Sequence, residues 1–309
     1  MDIPNRKRQL EFYTHALPEE TLMAAGRTMA SHSSSSVLLV AIFGVCAALC
    51  SFLINKKRRP THSGPRFRLY YWPGFPGRGE FMRLLFAETA TAFDDVYAQL
   101  TFEEATRSCY GHPERFAVPA IEDLERLTDN PSRPGPLALS QTTVIMRYLA
   151  SELDGGRLQP ASEAEQLRAA VLMSDVADAM EEGCRAWHAT DYNKGYEEQA
   201  EATRPFVDSF VERRLPKWLS HFDRALQRGG KGGRFLVGGR LSYADLALFH
   251  LLDGMRSESS AGGGCRRKYE EHASDALKAF VAEVEGRPRI RAWLDGPRRC
   301  KFTMTGPGF

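Results

Sequence analysis

Residues 66–90, R-F-R-L-Y-Y-W-P-G-F-P-G-R-G-E-F-M-R-L-L-F-A-E-T-A, limit the possible folds more than any other stretch. An aromatic-rich run suited to a strand ends at Trp72, and Pro73, Gly74, Pro76 and Gly77 then deny both strand and helix. From Arg78 onward Met82, Leu85, Phe86 and Thr89 recur at three- and four-residue steps. That spacing predicts a helix with Glu80 and Glu88 off its apolar stripe. Strand, tight loop and amphipathic helix in this order open a layered α/β domain. The corner also aims a tyrosine, Tyr71, at whatever lies above it. Strand-end aromatics serve equally as core residues with a locally satisfied hydroxyl, so this stretch alone fits both roles.

Upstream, residues 1–36 are polar and end in Ser31-His32-Ser33-Ser34-Ser35-Ser36, too little apolar surface to offset the entropy of ordering. A disordered segment is expected there. Residues 37–54 carry no charge over 18 positions. At about 1.5 Å per residue such a helix just spans a hydrocarbon core of about 30 Å. A buried core helix would show a polar face, and a cleaved signal peptide would carry its basic cluster before the apolar run; here Lys56-Lys57-Arg58-Arg59 follows it. The flanks therefore predict an uncleaved transmembrane anchor with a basic linker at 55–65 and the C-terminal part in the cytosol. Without that extension the remainder would be a soluble cytoplasmic protein.

Downstream, residues 94–100 read as a second strand, 101–110 as a short helix and 116–121 as a third strand containing Val118-Pro119, a position where a cis peptide can occur. Residues 122–136 read as a charged loop. Residues 137–153 read as a short strand entering a helix, with Ser140 as its N-cap and Val144, Ile145, Tyr148 and Leu149 on its apolar face. The first N–H groups of that helix, at Gln141 and Thr142, would welcome a carboxylate, although an isolated S-x-x-T also simply caps a helix. Beyond Ser162 strand signals stop, and residues 163–182, 197–227, 243–255 and 269–294 have helical length and period. Ser242-Tyr243-Ala244-Asp245 matches a capping box with Asp in place of Glu, a structural device without chemistry of its own.

Forty-one Lys and Arg against 39 Asp and Glu give a formal charge of +2, which excludes a nucleic-acid footprint over the whole molecule. The 6 cysteines show no C-x-x-C and no Cys/His spacing suited to zinc, so free thiols and no structural metal are expected.

The order of these elements, an α/β unit with a Val-Pro strand and then an all-helical domain, resembles the glutathione transferases. Tyr71 with Gly77-Arg78-Gly79-Glu80-Phe81-Met82-Arg83-Leu84 resembles that family's first strand and helix. Val118-Pro119-Ala120 resembles its cis-proline strand, residues 139–149 its glutathione-binding helix start, and residues 235–245 its C-terminal capping segment. The resemblance runs from about residue 66 to the C-terminus. It implies a thioredoxin-like glutathione-binding domain at 66–153 and an α-helical domain at 154–309. It also implies a homodimer, glutathione as co-substrate, and a small hydrophobic electrophile that is conjugated or isomerised. A tyrosine at this position resembles the alpha, mu, pi and sigma classes, and the G-R-x-E-x-[IM]-R-L pattern leans toward sigma.

Within the resemblance Tyr71 is the catalytic group. A free thiol of pKa about 8.5 is mostly protonated at neutral pH, and a hydroxyl donating to the sulfur favours the thiolate. Strand alternation sends Tyr70 to the opposite face, and Trp72, which completes the family's Tyr-aromatic pair, is expected with Pro119 among the glutathione-binding residues. Gln141 and Thr142 would receive the γ-glutamyl carboxylate. Val118, beside Pro119, would pair its backbone with the cysteinyl unit. Asp175 or Asp178 could reach a partner subunit's glutathione, or be plain solvated helix positions. Cys184, Arg185, Trp187 and Tyr192 suggest an aromatic electrophile site, or packing. The sequence departs from the family pattern by one extra residue between Trp72 and Gly77 and by Ala117 before Val-Pro. Among Arg107, Tyr110 and Arg115 there is no match to the family's upstream contacts. A non-catalytic scaffold of the same fold at a membrane is the alternative reading. A prostaglandin synthase of the thiol-pair type is disfavoured by the missing C-x-x-C.

Overall fold

The computed structural model describes residues 63–110, 116–128, 134–191, 193–257 and 264–302. The segments expected to be disordered (1–36) and membrane-spanning (37–54) lie outside these residues. Among the described residues no helix is long and apolar enough to cross a membrane. Pro60–Phe309 forms one compact unit.

Four strands make a mixed sheet in the order β2-β1-β3-β4: β1 (Phe67–Tyr70), β2 (Phe93–Asp95), β3 (Ala120–Leu127) and β4 (Pro136–Ser140). Strand β1 is parallel to β2 and antiparallel to β3, and β3 is antiparallel to β4. Helices α1 (Gly79–Glu88), α2 (Phe102–Tyr110) and α3 (Thr142–Glu152) complete the thioredoxin-like half. The helical half comprises α4 (Glu163–Trp187), α5 (Tyr196–Ser209), α6 (Leu215–Arg228), α7 (Tyr243–Arg256), α8 (Gly264–His272), α9 (Asp275–Glu285) and α10 (Pro288–Leu294). This two-part layout, a four-stranded thioredoxin-like unit followed by an all-helical half, is the one the resemblance implies.

Several elements differ from the sequence reading for identifiable reasons. Strand β2 stops at Asp95, because Ala98 N–H turns back to the Asp95 carbonyl and Leu100 N–H to that of Tyr97. The charged run read as a loop from 122 is largely strand β3. Its Asp123 is fully buried, where it takes two hydrogen bonds from Arg66 and one from the Tyr148 hydroxyl at 2.6 Å. Ser140 ends β4, and the N-cap of α3 is Gln141, at φ 74° and without a side-chain cap bond. Helix α3 buries Ile145, Met146, Leu149 and Ala150, while Val144 is exposed and Tyr148 is half-buried. The long helix read at 197–227 is α5 and α6 joined by a π-turn, Phe210–Arg214, in which Leu215 N–H reaches back to the Phe210 carbonyl. Pro216, lacking an N–H, follows at once, so the ladder slips where a donor is missing.

The largest correction concerns α1. Glu80 and Glu88, expected off the apolar stripe, are 0% and 3% exposed. Glu80 accepts from Trp293 Nε1 at 2.8 Å and Arg299 Nε at 3.2 Å; Glu88 accepts from Arg287 Nε at 3.0 Å and Arg157 Nη2 at 3.3 Å. Buried carboxylates persist only when paired in this way. One hydrophobic core runs through both halves, from Phe67 and Leu69 through Phe81 and Phe86 to Trp187, Phe222 and Phe249. Helix α7 lies at its centre, with every residue from Tyr243 to Met255 buried. At about 1.5–3 kcal/mol for each fully buried Leu or Phe, α7 anchors the helical half through area alone.

Candidate functional site

Strand register gathers the sequence-predicted residues at one end of the sheet. Tyr70 pairs with Ala120, and Ala120 pairs with Ser140. The next residues outward from that row are Tyr71 after β1, Val118-Pro119 before β3 and Gln141-Thr142 after β4. The Val118-Pro119 bond is cis.

Tyr70 and Tyr71 diverge as strand alternation requires. Tyr70 packs edge-on against Tyr97, in a small cluster with Ala105, Cys109 and Ala120, and donates to Glu122 at 2.7 Å. Tyr71 instead turns under the Pro/Gly loop, and its hydroxyl oxygen accepts the Arg78 backbone N–H at 2.9 Å. The loop is close. A Cβ on Gly77 would lie 2.2 Å from the Tyr71 hydroxyl, and one on Gly79 would lie 2.6 Å from its ring, so both positions require glycine. Burial pushes the Tyr71 phenol up to about 12, with the Arg78 amide pulling the other way. The phenol therefore keeps its proton throughout the neutral range.

A cleft of about 280 Å³ opens between α3 and α4, lined by Arg78, Gln141, Thr142, Thr143, Ala177, Asp178 and Glu181. Gln141 is exposed, Thr142 is buried, and the start of α3 presents its N–H groups there. Arg78 binds Glu181 across the cleft at 2.7 Å. The donor set comprises a cation, a helix N-terminus and a hydroxyl, with the carboxylates of Asp178 and Glu181 opposite. It suits a small peptide bearing both carboxylate and amine, as glutathione does. Tyr71 does not line this cleft; Arg78 joins the two, with its backbone on Tyr71 and its side chain in the wall.

Of the remaining candidates, Trp72 is half-buried against the Phe102 ring at 5.0 Å, and Val118 packs on the same small cluster. Asp178 lines the cleft, whereas Asp175 is bonded to His221 Nε2 at 2.9 Å. Trp187 is a core residue, fully buried and edge-on to Phe210. Arg185 lies exposed on α4 and donates to Glu181 at 2.7 Å. It lines a second groove of about 310 Å³ that shares Asp178 and Glu181 with the first. Burial pushes the Cys184 thiol up to about 11. Tyr192 and Arg115 lie outside the described residues. Among the described residues no group of three His, Cys, Asp or Glu side chains could hold a metal ion.

Sequence reasoning overlooked Arg78, quoted only as part of a motif, and His250. The one available signal for His250 was a lone imidazole in the otherwise apolar run L-A-L-F-H-L-L of α7. Its Nε2 lies 2.8 Å from the Gly77 carbonyl, its ring packs edge-on against Phe81 and stacks on Phe302, and it is fully buried. Burial lowers its pKa from 6.5 to about 4. The unfolded chain then binds the proton more tightly than the folded one. Stability contributed by neutral His250 is present above pH 6.5 and lost as pH falls through about 4. The loss is about 3 kcal/mol, and urea titrations at several pH values should show it in the native chain and not in His250→Gln.

Residues 187–296 match the family model "Glutathione S-transferase, C-terminal domain". Glutathione S-transferase P of Bos taurus is 27% identical over 251 residues, covering 79% of this chain and 99% of the relative. A glutathione S-transferase of Plasmodium yoelii yoelii is 24% identical over 219 residues, 71% of this chain and 88% of the relative. Among solved structures, the pi-class glutathione S-transferase of Onchocerca volvulus superposes with a TM-score of 0.56 at 20% identity, over 74% of this chain and 92% of that one. These relatives correct the lean toward the sigma class, since those whose class is named are of the P, or pi, class. Family model, curated sequences and solved structures agree that this chain is similar to the glutathione S-transferases and carries their two-part fold.

Proposed function

We propose that this chain is a glutathione transferase that activates the glutathione thiol at Tyr71 for attack on a small hydrophobic electrophile, by conjugation or by glutathione-dependent isomerisation. The observation that carries this reading is the Tyr70–Ala120–Ser140 row, which sets Tyr71, cis Val118-Pro119 and the start of α3 side by side at one end of the sheet, with a polar cleft opening at the start of α3. Thr142 and the first N–H groups of α3 would hold the γ-glutamyl carboxylate, Asp178 and Glu181 its amine, and the Val118 backbone the cysteinyl unit. With the Arg78 N–H on the phenol oxygen, the Tyr71 proton is free to point at sulfur. A hydrogen bond of this charge-assisted kind contributes roughly 1.5–3 kcal/mol, which lowers a thiol pKa by one to two units. The thiol proton leaves to solvent. With an aryl halide, the sulfur–carbon bond then forms as halide departs.

The test is retention of the full-length chain on immobilised glutathione together with turnover of a chromogenic aryl halide. Thr142→Val should weaken glutathione binding about tenfold, the loss expected for one hydrogen bond to a charged group. Neither retention nor turnover in the native chain would leave the scaffold reading in its place.

The reading extends to a homodimer, as in the family, and to a tether through residues 37–54 that leaves the catalytic part in the cytosol. The tether is supported by the uncharged run and its basic flank. Membranes washed with alkaline carbonate should retain the chain, and its release would remove the anchor.

A further inference from the structure

The hydrogen bonds of His250 and Tyr71 fall on the two ends of one peptide group. His250 Nε2 donates to the Gly77 carbonyl at 2.8 Å, and the N–H of that same Gly77–Arg78 peptide donates to the Tyr71 hydroxyl at 2.9 Å. We infer that His250, on the central helix of the helical half, is a positioning residue for Tyr71, acting through the Gly77–Arg78 peptide. The inference deepens the proposed function and rests on it for its catalytic consequence.

Three features support a single protonation state and a fixed aim. The ring is fully buried between Phe81 and Phe302. Donation to a carbonyl requires the proton on Nε2, and Nδ1 is buried without a partner, as the neutral Nε2–H tautomer leaves it. The charged groups facing the ring are Glu80 and Arg83 from α1 and Arg299 from the C-terminal segment. Arg83 in turn is bonded to Asp95, and Arg299 to Glu80 and Asp253. The Gly77 carbonyl receives one further donor, Glu80 N–H at 3.1 Å, which also reaches the Pro76 carbonyl at 2.9 Å. His250 is thus the shorter of the two bonds on that oxygen.

The physical effect runs in one direction. A donor on a peptide carbonyl withdraws electron density from the amide and strengthens what its N–H gives, by roughly 10–30% per bond in condensed phases. A firmer Arg78 N–H on the phenol oxygen makes Tyr71 a better donor to sulfur. The same bond restrains the loop that carries the extra residue between Trp72 and Gly77, and so holds the phenol's aim against an insertion that would otherwise slacken it. Through this contact the helical half adjusts the reactive end of the thioredoxin-like half.

The experiment uses the full-length, 15N-labelled chain and two variants. In the native chain, long-range 15N–1H spectra should show the His250 ring neutral with its proton on Nε2 from about pH 5 to about pH 8; a proton on Nδ1 overturns the inference without any variant. His250→Phe, which fills the space and removes the donor, should move the Arg78 amide proton upfield. It should also raise the pH midpoint of kcat/KM for the aryl halide at saturating glutathione by about half a unit and lower kcat about two- to fourfold, with KM for glutathione within about twofold. His250→Gln, whose amide can reach the same carbonyl, should return both readouts most of the way. A folded His250→Phe with native Arg78 shift and native pH profile overturns the inference, as does a His250→Gln no better than Phe. If the native chain turns over no electrophile, the proposed function fails, while the tautomer and the Arg78 shift still decide the His250 contact.

Discussion

Replacing Tyr71 by phenylalanine should lower kcat/KM for glutathione conjugation roughly tenfold to a hundredfold near neutral pH, with glutathione affinity changed by less than about twofold. The variant keeps the ring that Gly77 and Gly79 are shaped around and removes only the hydroxyl. It leaves the Arg78 N–H without its acceptor, a cost confined to one loop. Because the cleft proposed for the glutathione carboxylates does not include Tyr71, binding and activation should separate in this architecture. The pH profile is the sharper check. The native phenol, pushed up to about 12, stays protonated across the assay range, so the titration observed should belong to the thiol and move up in the variant by one to two units, the reach of one charge-assisted bond. Native kcat/KM in Tyr71→Phe would remove the assigned role.

Asp245→Ala should destabilise the chain by about 3–5 kcal/mol in urea unfolding, among the largest losses any single substitution produces. Asp245 is fully buried at the start of α7 and accepts three hydrogen bonds: from Leu236 N–H at 2.7 Å, Ser242 N–H at 2.8 Å and Ser242 Oγ at 2.7 Å. Alanine leaves three buried donors bare and uncaps the helix about which the core is arranged. Burial also pushes the carboxyl from 3.8 up to about 6. The folded state then holds the proton more tightly than the unfolded one, and the contribution of this group is complete below about pH 4 and declines as pH rises through about 6. Asp245→Asn, which does not titrate, should therefore fall furthest behind the native chain in acid and recover toward neutrality, by as much as about 3 kcal/mol.

The parts of this molecule legible in its sequence are those whose cause is local. Pro73, Gly74, Pro76 and Gly77 dictate the corner whatever surrounds it, and alternation alone separates Tyr70 from Tyr71. Ser242 and Asp245 sit three apart and form the expected box. Illegible residues owe their state to partners far along the chain. Glu80 and Glu88 look like solvent-facing helix positions until Trp293, Arg299, Arg157 and Arg287 are brought to them. The charged β3 looks like a loop because the arginine that satisfies Asp123 comes from residue 66. Gln141 replaces Ser140 as the cap because the strand keeps Ser140 in register with Ala120, which no count along the sequence shows. His250 was hidden for the same reason: the carbonyl it serves is 173 residues away.

Those paired carboxylates on α1 have a consequence for how the protein comes apart. Four side chains from beyond residue 153 supply Glu80 and Glu88 with hydrogen bonds, so a chain cut at the boundary between the halves would strip both carboxylates of these partners, leave Glu80 only Arg83 at 3.7 Å, and lay bare the face of α1 that α7 and α10 cover. The thioredoxin-like half is then a completed structure only once the last helix has arrived. During synthesis it must wait for the C-terminus, and in denaturant both halves should melt together, in one transition seen alike by the fluorescence of Trp72 and of Trp187.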